Sequence, residues 1–267
     1  MKGFSYCKPS QVVFFDKNEP AYFQKPYNYI STNPLVLHFY NSTFTFNKQV
    51  IKMYKFKKFN KKGIEHGVLE KKIELEKDID TIIQKTDTNR VVYPEQVHKE
   101  KVHICKSNDK RLIKNVDGLI TDQKNQALLI RTADCIPVFL YDNSKNRVGL
   151  IHAGFKGLVK GIIKNTLSHF NSKKTIAGLG PHIREEYYLR GDNKKYYKRK
   201  EFKNYFNKKE EKLYFSITKL AKDQLINNGI LKENIEDCGI CTYCSNNFLS
   251  ARKQGKKFDC FGSFIKL

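Results

Sequence analysis

The hydrophobic pattern of the chain changes near residue 53. Residues 1–52 are rich in aromatic side chains but show neither the alternation of a strand nor the periodicity of a helix. Further along, short apolar runs bounded by turn residues alternate with amphipathic stretches, a pattern typical of an α/β domain. We therefore expect an irregular, poorly ordered N-terminal extension over residues 1–52 and a single α/β domain over residues 53–267.

The strand candidates are apolar runs that end at turn residues. Residues 90–105 contain two β-rich segments, and residues 126–142 form one long strand region. Residues 116–121, between them, are interpreted as a turn. Three further short strands are expected, over residues 147–154, within residues 175–181, where a tight turn follows the strand, and over residues 261–267.

Two stretches carry apolar residues at helical spacing. They predict a helix over residues 155–170 and another over residues 214–230, which Asn228 and Gly229 would end. The apolar positions are Leu158, Ile162, Ile163, Leu167 and Phe170 in the first helix, and Ile217, Leu220, Ala221 and Leu225 in the second.

The composition excludes several classes of protein. Hydrophobic residues make up 40% of the chain, too many for a disordered protein, and the longest apolar runs are shorter than the ~20 residues of a membrane span. The N-terminal residues lack the basic start, continuous apolar stretch and cleavage site of a secretory signal. We therefore expect a cytoplasmic protein with no membrane partner.

The net charge of +23 changes this picture less than its size suggests. Only 8 of the 50 basic residues are arginines, the residue best suited to bidentate phosphate binding. We expect a solvated lysine surface with weak attraction for anions and no specific nucleic-acid partner. The densest block, residues 194–212, mixes Tyr and Phe with Lys as single-strand binders do, but a surface helix or insertion explains it equally well.

Seven cysteines without a secretion signal favour reduced thiols, metal ligands or a nucleophile over a disulfide framework. Cys238, Cys241 and Cys244 follow a C-x-x-C-x-x-C pattern with Cys260 downstream, which imitates an iron–sulfur or zinc ligand run. Separately buried thiols are the alternative, and the sequence leaves open whether these four cysteines bind anything.

His98, Cys135 and His152 stand at ends of predicted strands and support three hypotheses. Two imidazoles and a thiolate with one open position make a sound catalytic zinc site. Cys135 could instead be a nucleophile with His152 as its base and Asp134 or Asp117 as the residue that orients this base. All three could also be packing residues, since buried cysteine and turn-associated histidine are common. Spacing along the chain matches no short zinc motif and does not decide between them.

A series of short motifs follows in order over approximately residues 61–267. They are QVH (96–98), VDGLITD (116–122), TADCIPVFLYD (132–142), IHAGFKGLVKGII (151–163), GLGPHI (178–183), CT (241–242), FLSARK (248–253) and the terminal SFIKL. Together they resemble the multicopper polyphenol oxidase (laccase-domain) family, the YfiH-like proteins. The resemblance implies a mixed β-sheet core flanked by helices and a metal site formed by His98, Cys135 and His152. Zinc is the expected metal, with copper as the alternative.

The resemblance also implies an activity, because this family is regarded largely as purine nucleoside phosphorylases. The expected reaction cleaves adenosine, inosine, guanosine or methylthioadenosine with phosphate, giving the free base and ribose 1-phosphate. Adenosine deamination is a second activity attributed to the family, and it fits a zinc ion that activates water. We expect purine nucleosides and phosphate as partners of a monomer or homodimer. A hydrolase that edits cell-wall precursors and a diverged, non-catalytic binding protein are the alternatives.

The expected phosphate contacts are Lys156, where the family commonly has Arg, and Arg252. The chain departs from the family pattern at other pocket positions too. Arg184 and Tyr188 follow GPHI in place of the usual Gly and Tyr-Glu pair, and Cys260 stands where a basic residue is usual. The expected metal ligands are intact, so we expect the altered positions to change substrate range more than fold.

Overall fold

The computed structural model describes residues 52–72, 79, 82–83, 88–191 and 194–267. These residues form two six-stranded sheets, a two-stranded hairpin and several short helices. The predicted α/β domain with a mixed β-sheet core is therefore confirmed. The predicted N-terminal extension lies outside the described residues except for Lys52.

The first sheet is mixed, with the predicted final strand near its centre. Its strands, in spatial order, are β1 (Met53–Tyr54), β2 (Glu65–Lys72), β14 (Phe261–Lys266), β7 (Gln126–Thr132), β3 (Arg90–Pro94) and β5 (Leu112–Ile113). Strand β14 pairs antiparallel with both β2 and β7, whereas β3 pairs in parallel with β7 and β5.

The second sheet is also mixed and carries the longest of the described strands in which every residue is buried. Its order is β13 (Ile235–Asp237), β10 (Thr175–Leu179), β8 (Ile136–Asp142), β9 (Arg147–Ala153), β6 (Gly118–Thr121) and β4 (Val102–Ile104). The two outer pairs are parallel and the inner pairs are antiparallel. Every residue of β8 is buried, because both faces of this strand are covered.

The helices are short, and a hairpin of β11 (Phe206–Lys209) and β12 (Lys212–Phe215) lies among them. They are α1 (Lys57–Asn60), α2 (Phe155–Val159), α3 (Ile162–Leu167), α4 (Lys194–Tyr197), α5 (Lys200–Lys203), α6 (Ile217–Asn227) and α7 (Ala251–Gln254). The four apolar positions predicted for α6 are its buried residues. No helix among the described residues has the length and apolar character that crossing a bilayer would take.

The lysine-rich block of residues 194–212 covers part of the core. Its Phe202 and Phe206 are buried, whereas the lysines described in it are exposed. This division is that of an amphipathic surface segment, in which aromatic rings pack inward and lysines are solvated.

Alternation along the strands sets the layers of the molecule. In β7, Leu128 packs with Phe139 and Leu150 of the second sheet, whereas its neighbour Leu129 joins a cluster on the outer face of the first sheet. On the far face of the second sheet, apolar residues of β8 and β9 pack against α2, α3 and α6. The core therefore has a layer between the two sheets and another beneath the helices.

Three detailed predictions are wrong for local reasons. Residues 126–142 form two strands, β7 and β8, because the chain turns at residues 133–135 and crosses to the other sheet. Residues 116–121 contain the buried strand β6 instead of a turn. The helix predicted over residues 155–170 is interrupted between α2 and α3 at Gly161, whose φ of 90° suits glycine.

Candidate metal centre

The three expected metal ligands meet where the chain passes from the first sheet to the second. His98 follows β3, Cys135 lies in the turn between β7 and β8, and His152 is close to the end of β9. Their potential ligand atoms all lie within 4.8 Å of one another. The two imidazole rings are nearly perpendicular, with centroids 4.6 Å apart. The fold thus brings together three residues that are distant in sequence.

Asp117, immediately before β6, fixes the orientation of His152. Its Oδ1 accepts a hydrogen bond from His152 Nδ1 at 2.8 Å, and both side chains are almost fully buried. The backbone N–H of His152 donates to the carbonyl oxygen of Asp117, also at 2.8 Å. With a proton on Nδ1, Nε2 keeps the free lone pair that a metal ligand or a general base needs.

The same carboxylate holds the loop that carries His98. Asp117 accepts hydrogen bonds from the backbone N–H groups of Val97, His98 and Lys99 at 3.1, 2.9 and 2.8 Å. His98 has a φ of 57°, a left-handed conformation that costs about 1–3 kcal/mol for a residue with a side chain. Burial opposes the charged form of Asp117, but the hydrogen bonds from His152 and these amides lower its pKa overall. One buried carboxylate therefore positions two of the three expected ligands.

Two further side chains connect the site to neighbouring segments. Gln96 exchanges hydrogen bonds with the backbone of Arg131 in β7, at 2.6 Å to the carbonyl oxygen and 2.9 Å from the amide N–H. Asp134, with a φ of 83°, accepts hydrogen bonds from the hydroxyl of Thr242 and from the backbone N–H of Arg252, each at 2.7 Å. The turn that presents the cysteine is thus held by the C-terminal part of the chain.

The electrostatics of the pair Cys135 and His152 favour a thiolate. Burial raises the pKa of the Cys135 thiol, but the neighbouring His152 and His98 lower it to about 6. Burial also opposes protonation of His152, yet Cys135 and Asp117 raise its pKa to about 9. At Cys238, by contrast, burial raises the thiol pKa to about 12. Cys135 is therefore set apart from an ordinary buried cysteine by its histidine neighbours.

Gly154 has no side chain, which leaves space for the sulfur of Cys135. A Cβ atom at this position would lie 2.9 Å from Cys135 Sγ and 3.4 Å from Cδ2 of His98. Its φ of −82° is open to any residue, so glycine is required here by space and not by backbone conformation. The HAG sequence after β9 thus has a steric role at the site.

The donor set fits zinc. Imidazole nitrogen and thiolate sulfur are ligands that zinc prefers, and three protein ligands leave one position open. His98 is exposed whereas His152 is buried, so the open side of the cluster faces solvent through the His98 loop. Cys135, His152 and Asp117 could also act as nucleophile, base and orienting carboxylate, the arrangement that activates a thiol. This second hypothesis uses the same atoms as the metal site.

The two expected phosphate contacts lie on segments next to the site. Besides its backbone bond to Asp134, Arg252 donates from Nη2 to the carbonyl oxygen of Leu189 at 2.9 Å. Lys156 is an exposed residue of α2, in the segment that follows His152. Both are cations with access to solvent, but Arg252 is the one that a hydrogen bond ties to the Cys135 turn.

The sequence marked Tyr188 as an altered pocket position but gave no sign that Arg190 is its neighbour. Burial raises the pKa of Tyr188, Cys135 raises it further, and the cations of Arg190 and Arg252 oppose this rise. The Arg190 guanidinium lies 4.7 Å from the ring centroid of Phe155 and 5.3 Å from that of Tyr188. In the segment after GPHI, the sequence shows only that the chain departs from the family pattern. That departure does not indicate what Arg190 does.

The cysteine run does not form a ligand group with the described residues. Two groups of three potential metal ligands come within 4.8 Å in this part of the chain, the candidate metal centre and a cluster around His103. Neither group contains any of the four cysteines of the run, Cys238, Cys241, Cys244 and Cys260.

The chain matches a known protein family over most of its length. Residues 48–267 fit the family model described as multi-copper polyphenol oxidoreductase laccase. A purine nucleoside phosphorylase of Campylobacter jejuni is 35% identical over 62% of this chain and 73% of its own length. Another from Clostridium acetobutylicum is 31% identical over 66% of this chain and 76% of its own.

Solved structures have the same fold. The YfiH protein of Bacillus licheniformis, described as hypothetical, has a TM-score of 0.73 and 24% identity, covering 80% of this chain and 96% of its own. YlmD from Geobacillus stearothermophilus has a TM-score of 0.71 and 20% identity over 84% of this chain and 98% of its own. On the match over residues 48–267, the chain belongs to the multi-copper polyphenol oxidoreductase laccase family.

Proposed function

We propose that this protein is a zinc-dependent purine nucleoside phosphorylase. Its substrates are adenosine, inosine, guanosine or methylthioadenosine together with phosphate, and its products are the free base and ribose 1-phosphate. The observation that carries the proposal is the convergence of His98, Cys135 and His152 within 4.8 Å. The names of the relatives from Campylobacter jejuni and Clostridium acetobutylicum support the same reaction.

In this proposal His98, Cys135 and His152 hold the metal. Asp117 keeps Nε2 of His152 and the His98 loop directed at it, as hydrogen-bond partners of metal ligands commonly do. A bound zinc ion supplies Lewis acidity and positive charge to the reaction, and copper is its competitor for the site. Deamination of adenosine is a proposed side activity of the same centre.

Basic side chains around the centre have the task of holding phosphate. We assign this task to Arg252 and Lys156, and Arg190 joins them because its cation lies 5.3 Å from the ring centroid of Tyr188, whose pKa Cys135 also raises. A phosphate held close to the ribosyl carbon makes its attack effectively intramolecular. Since the substrates are metabolites, we place the activity in the cytoplasm, in a monomer or homodimer.

The reaction is tested with tag-free protein of measured zinc and copper content. Each nucleoside is incubated with and without phosphate, and free base and ribose 1-phosphate are quantified. We expect base release that requires phosphate, disappears after chelation and returns with zinc. A zinc-loaded, folded protein that releases no base from any of the four nucleosides would refute the proposal. A muramyl-amino-acid nucleotide assayed in parallel tests the cell-wall editing alternative.

A thiol hydrolase is the second candidate, and the lowered pKa of Cys135 beside His152 favours it. The two functions differ in what they require of His98 and zinc. In the phosphorylase, alanine at His98, Cys135 or His152 abolishes zinc binding and activity alike. In the hydrolase, only the Cys135 and His152 variants lose activity, and added zinc inhibits. Titrating zinc into the His98→Ala variant therefore separates the two mechanisms.

A further inference from the structure

His103, Cys105 and Asp109 form a second cluster of potential ligands outside the candidate metal centre. Their ligand atoms all lie within 4.8 Å of one another. His103 belongs to β4 and Cys105 comes two positions later, so both side chains leave the strand on the same side. Asp109 returns to them through a turn closed by its own N–H, which donates to the Lys106 carbonyl oxygen at 3.2 Å.

Other contacts hold this turn in position. Oδ2 of Asp109 accepts the backbone N–H of Lys106 at 2.7 Å and lies 2.7 Å from Nε2 of His103. Arg90 of β3 donates a hydrogen bond to the carbonyl oxygen of Ser107. The carboxylate is therefore fixed beside the imidazole before any ligand arrives, which lowers the cost of assembling a site.

We propose that His103, Cys105 and Asp109 bind a divalent metal ion of the zinc class, with a fourth position open to solvent. Imidazole nitrogen, thiolate sulfur and carboxylate oxygen are each zinc ligands at about 2.0–2.3 Å. The side chains of His103 and Asp109 are 34% and 22% exposed, whereas Cys105 is only 1% exposed. The ion thus enters from the solvent side, and the sulfur closes the site from within.

The charges at this cluster are compatible with a cation. The thiolate and the carboxylate together neutralise a divalent ion, so the occupied site is neutral, one charge more positive than the empty cluster of thiol, imidazole and carboxylate. When the ion binds, the thiol proton of Cys105 passes to solvent and the His103 ring proton moves from Nε2 to Nδ1. Metal bonds from Nε2 of His103 and from the Asp109 carboxylate then replace their mutual hydrogen bond.

The cluster is separate from the candidate metal centre. Val102 of β4 pairs with Gly118, the residue after Asp117, whereas Cys105 lies three residues further along the chain. Three strand residues correspond to about 10 Å. Binding at the second site can therefore be measured while the first centre lacks its thiolate.

Cobalt(II) is the probe, because a cobalt–thiolate bond gives a near-ultraviolet charge-transfer band that imidazole and carboxylate ligands do not give. The experiment uses the tag-free, full-length Cys135→Ser variant. We expect this variant to bind cobalt with a thiolate band that zinc displaces. Adding Cys105→Ser removes the band. Adding Asp109→Asn, which keeps an acceptor for the Lys106 amide, weakens cobalt binding at least about tenfold.

The matched control is His169→Ala in the same Cys135→Ser background, since His169 is a half-buried histidine outside both groups of ligands. It should leave the band and the affinity unchanged, and circular dichroism verifies that each variant is folded. The proposal is overturned if folded Cys135→Ser protein shows no thiolate band in excess cobalt. It is equally overturned if the band survives Cys105→Ser, or if Asp109→Asn leaves the affinity unaltered.

Discussion

Asp117 is the residue on which most of the site geometry depends. It has no exposed surface, and its two oxygens accept the His152 ring N–H and three consecutive backbone N–H groups. In an asparagine at this position, an NH2 group replaces one of the oxygens and faces some of these donors. This costs about 1–3 kcal/mol when the groups are buried. The effect reaches both histidines because they share this one acceptor.

We expect Asp117→Asn to weaken zinc binding about 10–100-fold while the protein remains folded. The physical reason is loss of the charged partner that orients His152 and the His98 loop. Zinc affinity measured by competition with a chelating dye checks this. Asp122→Asn is the control, since Asp122 is a 42% exposed partner of Arg147 and should not change the affinity. Equal zinc affinities for the two variants would contradict the role given to Asp117.

Gly154→Ala tests the space beside the sulfur. The added methyl group would lie 2.9 Å from Cys135 Sγ, so the sulfur or the loop must shift. We expect zinc affinity and nucleoside cleavage to fall at least about tenfold, with the unfolding temperature changed by only a few degrees. Gly191→Ala is the control, because a Cβ there has no atom within 4 Å. If both alanine variants keep full affinity, the sulfur does not need the space that Gly154 provides.

At the scale of elements, one ion pair connects β13 to the segment after β10. The guanidinium of Arg184 donates to both oxygens of Asp237, at 3.0 and 2.6 Å, and Nζ of Lys222 in α6 lies 2.8 Å from the same carboxylate. Burial opposes the charge on Asp237, but these partners hold its pKa well below its usual range. The pair therefore stabilises the fold only while the carboxylate is ionised.

We expect Asp237→Asn to lower the free energy of unfolding by about 2 kcal/mol at pH 7, because it leaves Arg184 partly buried without its anion. The folded-state pKa lies below the unfolded value of about 3.9, so the stabilisation is complete above that pH and is lost as pH falls through the folded-state pKa. Urea unfolding at pH 7 and pH 3 should show the difference from the unmodified protein shrinking in acid. Glu201→Gln, at an exposed pair with Arg199, should change little at either pH. A difference that grows in acid would exclude this account.

Elements with a clear period were predictable, and crossings between sheets were not. The apolar spacing predicted the buried face of α6 correctly, because apolar residues recur with the helical period on the side of a surface helix that faces the core. Residues 126–142 are apolar on both sides of the turn at residues 133–135, so no change of period marks where the chain leaves the first sheet. The Asp-Gly pair at residues 117–118 is a turn signal and predicts a turn, whereas the structure has the strand β6 there, with all four residues buried.

The candidate site was predictable in part for a related reason. The family motifs identified His98, Cys135 and His152, and the fold brings them together. Asp117 was considered only as one of two residues that could orient a base, because a sequence does not show which carboxylate returns to which loop. Arg190 was missed, since its place near Tyr188 depends on the packing of a segment without any motif.

At the scale of the whole molecule, most of the lysines that the structure describes lie on solvated surface. In the block of residues 194–212 the aromatic side chains pack inward, so they are not available as a stacking platform for bases. We expect weak binding to single-stranded DNA at low salt and no measurable binding at physiological salt. Fluorescence anisotropy across a salt series checks this expectation. Tight, salt-resistant binding would instead support the non-catalytic alternative.

Strand β14 has a consequence for how the protein is made. It is synthesised after every other described strand, yet it lies between β2 and β7, and Thr242 and Arg252 are made late as well and hold Asp134. A nascent chain on the ribosome therefore has two unpaired strand edges and an unsupported cysteine turn until these segments leave the exit tunnel. The candidate metal centre is therefore completed only after these late segments have emerged and paired.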